Sequence, residues 1–201
     1  MNVNDIELKL KNEMTIDGVV NKRFIHSVGV AKACVELVKY YSFDIDLKKA
    51  YVAGLLHDAT KLIDKKTQRE MLYKMGYTDS DEIMLSTNVW HGETAYEYVK
   101  ENYGIVDEEI LSAIRYHVMG RPNMTILEKI VFIADYIEEN RQGVVFEKAR
   151  KLAFEDIDKT ILFILESQIE YIMNQKQTLI SQTLKTYDYY KQQEDYVCKK
   201  K

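Results

Sequence analysis

Residues 47–61 read LKKAYVAGLLHDATK, and this stretch decides the fold. Leu47, Ala50, Tyr51, Gly54 and Leu55 recur at three- and four-residue spacing, the period of one helix face. Asp46 stands just before them as an N-cap. Ala50, Ala53 and Gly54 keep the face small, so a second helix can approach closely. The helix runs directly into His57 and Asp58.

The same period extends outward over almost the whole chain. Phe24, Val28, Ala31, Val35 and Val38 define a long helix over 21–41, after a short amphipathic one at 5–14. Further helices are expected at 65–75, 80–88, 91–102 and 107–118, with Gly104 ending the third of these. Thr125 and Glu128 form a capping box ahead of Ile126, Ile130, Ile133 and Ile137. Helices near 145–154, 156–176 and 183–197 follow, and no stretch alternates with period two. One proline and eight glycines in 201 residues leave too few turn formers for a β-sandwich or barrel. The fold class is all-α, expected as one domain over 1–201. Its core lies at about 20–142, with C-terminal helices at 145–197 packing on it.

Composition narrows the partners. A formal charge of −4 leaves no basic excess for neutralising phosphates along a nucleic acid. No apolar run reaches the ~18 residues of a membrane span, and the first residues lack a hydrophobic signal region. Cys34 and Cys198 are too far apart in sequence for a CxxC metal site. These features suit a cytoplasmic protein with a small-molecule ligand and no nucleic-acid or membrane partner. The many aromatics are compatible with a homodimer, and the lysines at 199–201 read as a solvated end.

The four histidines, His26, His57, His91 and His117, all fall on or at the ends of expected helices beside apolar neighbours. Asp135 stands in the otherwise apolar IVFIADYI, where a carboxylate needs a partner because an unpaired buried charge is costly. A lone histidine on such a face is usually a hydrogen-bonded core residue. Four of them with Asp58 and Asp135 make the parts of a metal site in a helical bundle. Imidazole with carboxylate suits iron, manganese, zinc or nickel, and Asp58 could bridge two ions.

Taken in order, His26, the His57-Asp58 pair and Asp135 resemble the HD-domain metal-dependent phosphohydrolases. The match extends through the Arg23–Ser27 and Gly54–Lys61 segments, His91-Gly-Glu, Ala113–His117 and Gly120–Met124. It continues through Leu127–Ile130, Ile133–Glu138 and Asn140-Arg141. This longer series, over about 20–190, resembles the bacterial YqeK-type symmetrical bis(5'-nucleosyl)-tetraphosphatases. The resemblance implies hydrolysis of diadenosine tetraphosphate to two ADP. Its usual metal is iron, as one or two ions, with manganese or another divalent first-row ion as the alternative.

The resemblance also assigns roles. His26, His57, Asp58 and Asp135 become metal ligands, and His91 and His117 become either ligands of a second metal or donors to substrate phosphate. Asp58 and Lys61 are the catalytic candidates. Substrate contacts are implied at Arg23, Asp58, Ala59, Thr60, Lys61, His91, His117, Val118, Asp135, Arg141, Thr178 and Thr183. Arg121 is a weaker phosphate candidate, because Gly120-Arg-Pro is also a simple turn. Tyr136, Tyr187, Tyr189, Tyr190 and Tyr196 could stack on adenine, although such a stripe is more often packing. The family often has Thr-Leu-Ile-His-Pro before its last helix, whereas Ser181-Gln182-Thr183 follows Thr178-Leu-Ile180 here. Two other readings have this composition: an HD-class nucleotidase or phosphodiesterase acting on another nucleotide, and a helical scaffold without chemistry. The scaffold is disfavoured because all six candidate ligands and Lys61 are present.

Overall fold

A computed structural model describes residues 2–199, with side chains described to Tyr196. The lysines at 200 and 201 and the side chains of Lys199 and Cys198 lie outside it. Among the described residues the chain forms ten α-helices and one small hairpin. They are α1 (Val3–Glu13), β1 (Thr15–Ile16), β2 (Val19–Val20), α2 (Lys22–Tyr41), α3 (Leu47–Leu56) and α4 (Lys65–Lys74). After these come α5 (Trp90–Tyr103), α6 (Glu108–Tyr116), α7 (Ile126–Ile137), α8 (Val144–Ala153), α9 (Ile157–Asn174) and α10 (Ser181–Lys199).

The expected caps are present. The Asp46 carboxylate accepts from Lys48 N at the start of α3. Thr125 and Glu128 form the reciprocal capping box of α7. The close approach written into α3 is realised against α2: a Cβ on Gly54 would lie 2.8 Å from Ala31 Cα and 2.8 Å from Cys34 Sγ. In α2 the buried stripe runs through Ser27, Val30, Ala31, Cys34, Leu37 and Val38. Val28 and Val35, expected on the apolar face, are only half-buried.

Two expectations are corrected. The chain reverses at 15–20 through a hairpin, pairing Thr15 with Val20 and Ile16 with Val19. Asp17 and Gly18 both adopt positive φ, 51° and 77°, as a two-residue hairpin turn requires. Strands of two residues are too short to show alternation. The helix expected at 80–88 shrinks to a single 3-10 turn at Glu82–Leu85. There the Asp81 carboxylate is bound back to Thr78. The Ile83 carbonyl accepts from the Ser86 N–H at 3.3 Å, the short bond of a 3-10 turn, and from the Trp90 indole N–H at 2.9 Å.

Helices α2, α3, α6 and α7 pack on one another around an apolar core centred on Leu37, Leu55, Ile114, Ile130 and Ile133. Helix α9 lies on α7 and α8, and α10 lies on α9. Among the described residues no helix is long and apolar enough to cross a membrane. Cys34 is buried and unbridged.

Candidate metal centre

Five separate helices deliver the candidate ligands to one point. His26 projects from the first turns of α2, and His91 from the first turn of α5. Asp135 sits near the end of α7, while His57 and His117 occupy the C-caps of α3 and α6. The two capping histidines use the same device. His57 Nδ1 donates to the Gly54 carbonyl at 2.6 Å, and His117 Nδ1 donates to the Ile114 carbonyl at 2.6 Å. A carbonyl only accepts, so Nδ1 carries the proton and Nε2 is turned into the cluster. Each ring takes a carbonyl of its own last helical turn, which stops α6 at Tyr116 rather than 118.

Asp58 is the hub. Its Oδ2 lies 3.4 Å from His57 Nε2 and 3.8 Å from His26 Nε2. Its Oδ1 lies 3.3 Å from His91 Nε2 and 3.8 Å from His117 Nε2. Asp135 Oδ1 closes the first side, 2.9 Å from His26 Nε2 and 3.6 Å from His57 Nε2. All six side chains fall into overlapping groups of three whose donor atoms lie within 4.8 Å of one another. His26 Nε2, His57 Nε2 and Asp58 Oδ1 are buried and have no hydrogen-bond partner. Buried polar atoms are rarely left so, and three of them within one cluster of imidazoles and carboxylates fit bound cations. The donor set, imidazole with carboxylate, suits a divalent first-row metal.

The electrostatics agree with this. Burial opposes ionisation of Asp58, yet His57, His91 and Lys61 hold its carboxyl well below the usual range. Asp135 is held down in the same way by His26, His57 and Arg141 against its own burial. Burial favours the neutral His57 ring, but Asp58 and Asp135 outweigh it and raise the imidazole to about 9. Burial pushes His117 down to about 4, aided by His57, and burial and Lys61 push His91 well below its ordinary value. His91 and His117 are therefore neutral imidazoles, the form in which histidine ligates or receives a proton.

Three cations border the cluster. Arg23 Nη1 donates to Asp58 Oδ2 at 2.8 Å. Arg141 donates through Nε to the Asp135 carbonyl at 2.6 Å and through Nη2 to Asp135 Oδ1 at 2.7 Å. Lys61 Nζ lies 3.0 Å from His91 Nε2, and burial lowers its pKa. Lys61, Val118, Thr178 and Thr183 line one cavity of about 380 Å³. Asp135, Tyr136 and Arg141 line another of about 700 Å³.

Ala59 and Thr60 are buried, and the Thr60 hydroxyl donates to the His91 carbonyl at 3.1 Å. Thr60 therefore buttresses the His91 backbone. Arg121 is paired with Glu128 at 3.0 Å, away from the cluster. Tyr190 is buried, and Tyr189 donates to Asn123 at 3.3 Å. Tyr187 packs against the core, while Tyr196 is exposed. Sequence reasoning gave no role to Glu138, whose Oε1 lies 3.1 Å from His26 Nδ1. The one signal was its position three residues after Asp135, at the end of the same helix.

Residues 23–140, which carry this arrangement, match the HD domain family model. The chain belongs to the HD domain family. Among HD proteins it is 37% identical over 166 residues to "Bis(5'-nucleosyl)-tetraphosphatase, symmetrical" from Halalkalibacterium halodurans, covering 83% of this chain and 87% of that one. The protein of that name from Bacillus subtilis is 34% identical over 169 residues, covering 83% of this chain and 88% of the other. In structure it is similar to a predicted HD superfamily hydrolase involved in NAD metabolism from Clostridium acetobutylicum. That comparison has a TM-score of 0.87 and 33% identity, and covers 96% of this chain and 98% of the other.

Proposed function

We propose that this HD protein is a divalent-metal-dependent hydrolase that cuts diadenosine tetraphosphate symmetrically into two ADP. The observation that carries the reading is the Asp58 carboxylate, which presents one oxygen to His26 and His57 and the other to His91 and His117. The likeness to symmetrical tetraphosphatases over most of the chain supports the substrate.

His26, His57, Asp58 and Asp135 would hold one ion, and His91 and His117 would hold a second through Asp58. A divalent ion there supplies Lewis acidity, polarising a phosphoryl oxygen and making water a nucleophile near neutral pH. Iron is the expected metal, by resemblance, with manganese as the alternative.

The chain's own groups supply charge and position. Phosphoryl transfer depends mostly on both. Lys61 Nζ, beside His91, meets a non-bridging oxygen of the tetraphosphate. A guanidinium has five N–H donors, so Arg23 and Arg141 keep donors for phosphate while holding Asp58 and Asp135 in place. Water attacks a phosphorus next to the central bridging oxygen, and the bond from that phosphorus to the bridge breaks. The bridging oxygen leaves on one ADP and the water oxygen remains on the other. The reading places this enzyme in the cytoplasm, without nucleic-acid or membrane partners.

The test is turnover of diadenosine tetraphosphate by protein loaded with ferrous iron under anaerobic conditions, run in parallel with manganese. ADP as the sole nucleotide product is expected. AMP with ATP would overturn the symmetrical cut. Absence of turnover by metal-loaded protein would overturn the substrate.

A further inference from the structure

The two cavities meet at α9. Gln168 and Tyr171, three residues apart on one face of that helix, belong to both walls. The smaller cavity reaches the cluster at Lys61, on the Thr178–Thr183 side. The larger one reaches it at Asp135 and Arg141. The cluster therefore lies between two openings, each beginning at a cation that borders it.

The larger cavity has the lining a nucleoside requires. The rings of Tyr136 and Phe146 lie 4.9 Å apart at 51°. The Arg141 guanidinium sits 5.5 Å from the centre of the Phe146 ring. Tyr171 stands at the rim with 61% of its surface in water, a large aromatic that the fold leaves uncovered. Ser167 and Asn174 add polar groups at the same wall. Aromatic faces with a few polar groups, and a cation at the inner end, suit a base on a phosphate chain.

A symmetrical cut adds a geometric demand. The scissile bridge is at the middle of the substrate, so two equal arms must leave the cluster in different directions. The smaller cavity meets the cluster on the Lys61 side alone, which leaves the larger one for the other arm. We propose that the cavity walled by Tyr136, Phe146 and Tyr171 seats the second nucleoside of the dinucleotide, with Arg141 gripping the phosphates that lead into it. This assignment rests on the hydrolase reading above. It makes Phe146 a determinant of the preference for a substrate with two nucleosides.

The experiment compares diadenosine tetraphosphate with adenosine 5'-tetraphosphate, which lacks one nucleoside, on metal-loaded wild type, Phe146→Ala and Phe146→Leu. Tyr171→Ala and Tyr171→Phe are run beside them. Adenosine tetraphosphate is followed as substrate or, where it is not turned over, as a competitive inhibitor. Wild type should prefer the dinucleotide. Phe146→Ala should cut that preference about tenfold or more, as expected for loss of an aromatic stacking partner, whereas Tyr171→Ala, which strips a ring from both cavities, should weaken both ligands. Tyr171→Phe, which keeps the ring, should spare both. Phe146→Leu keeps apolar bulk without the ring, and should lose the preference even if the alanine variant fails to fold. Equal losses on both ligands in the Phe146 variants, or no loss in them, would overturn the second seat. Failure of wild type to cut diadenosine tetraphosphate would instead overturn the hydrolase reading itself.

Discussion

Glu138 Oε1 lies 3.1 Å from His26 Nδ1, and this contact determines which nitrogen of the ring meets the cluster. An ionised carboxylate only accepts, so Nδ1–H donates and Nε2 faces Asp135. Glu138 is itself held by the Asn140 backbone N–H and side-chain amide, both at 2.8 Å. Gly29 of α2 closes over it, since a Cβ there would lie 2.5 Å from Glu138 Oε2. A partner of this kind orients a ligand and raises its basicity.

Glu138→Gln should therefore weaken metal binding about 10–100-fold while the helices persist. Metal titration beside circular dichroism checks this. Wild-type affinity in the variant would show that the contact is incidental.

Asp58→Asn keeps the shape of the hub and removes its charge, so both imidazole pairs lose their common anion. The variant should retain helicity but purify without stoichiometric metal and without turnover, and His57→Ala should do the same. Full activity in either variant would refute the assignment of the cluster.

Gly54 matters through space rather than conformation. In Gly54→Ala the new methyl meets the α2 backbone at Ala31, which cannot move aside as a side chain can. Overpacking of this kind costs about 1–3 kcal/mol, enough to lower the melting temperature by several degrees. A thermal melt at the wild-type temperature would mean that α2 and α3 separate at no cost.

Away from the centre, tyrosines that pin α1 set an alkaline limit. Tyr51 donates to Glu7 at 2.7 Å, and Tyr103 donates to Glu13. Burial raises both phenols above their ordinary value of 10.0, and the glutamates add to it. Tyr98 is pushed up to about 12, again by burial and then Glu13. Below pH 10 these groups are protonated in folded and unfolded chains alike, so their contribution is fully present. Above it the unfolded chain loses protons that the folded one keeps, so stability falls as pH rises from about 10 through 12. Phenolate absorbance should then rise together with loss of helicity. Ionisation of these phenols near pH 10 in the intact fold would contradict the burial.

Much of this is legible in the sequence. Sustained apolar periodicity announces helices, and His57-Asp58 and Asp135 stand out because charge is rare in such apolar surroundings. The hairpin escaped because strands of two residues cannot display a period. Its signal, Asp17-Gly18 between Thr15-Ile16 and Val19-Val20, was available in turn chemistry alone. The helix expected near 80–88 is one 3-10 turn whose Ile83 carbonyl also accepts from the Trp90 indole, a contact no local pattern predicts. Gln168 and Tyr171 were invisible for a related reason. They read as ordinary residues of a long amphipathic helix until packing brings α9 between two cavities.

The most direct test of the whole account is hydrolysis of diadenosine tetraphosphate by metal-loaded protein in water enriched with heavy oxygen, followed by mass analysis of the nucleotides. The account predicts ADP alone, with half of its molecules carrying one heavy oxygen on the terminal phosphate, because one water enters for every two ADP released. ATP and AMP, with the label on either, would contradict it.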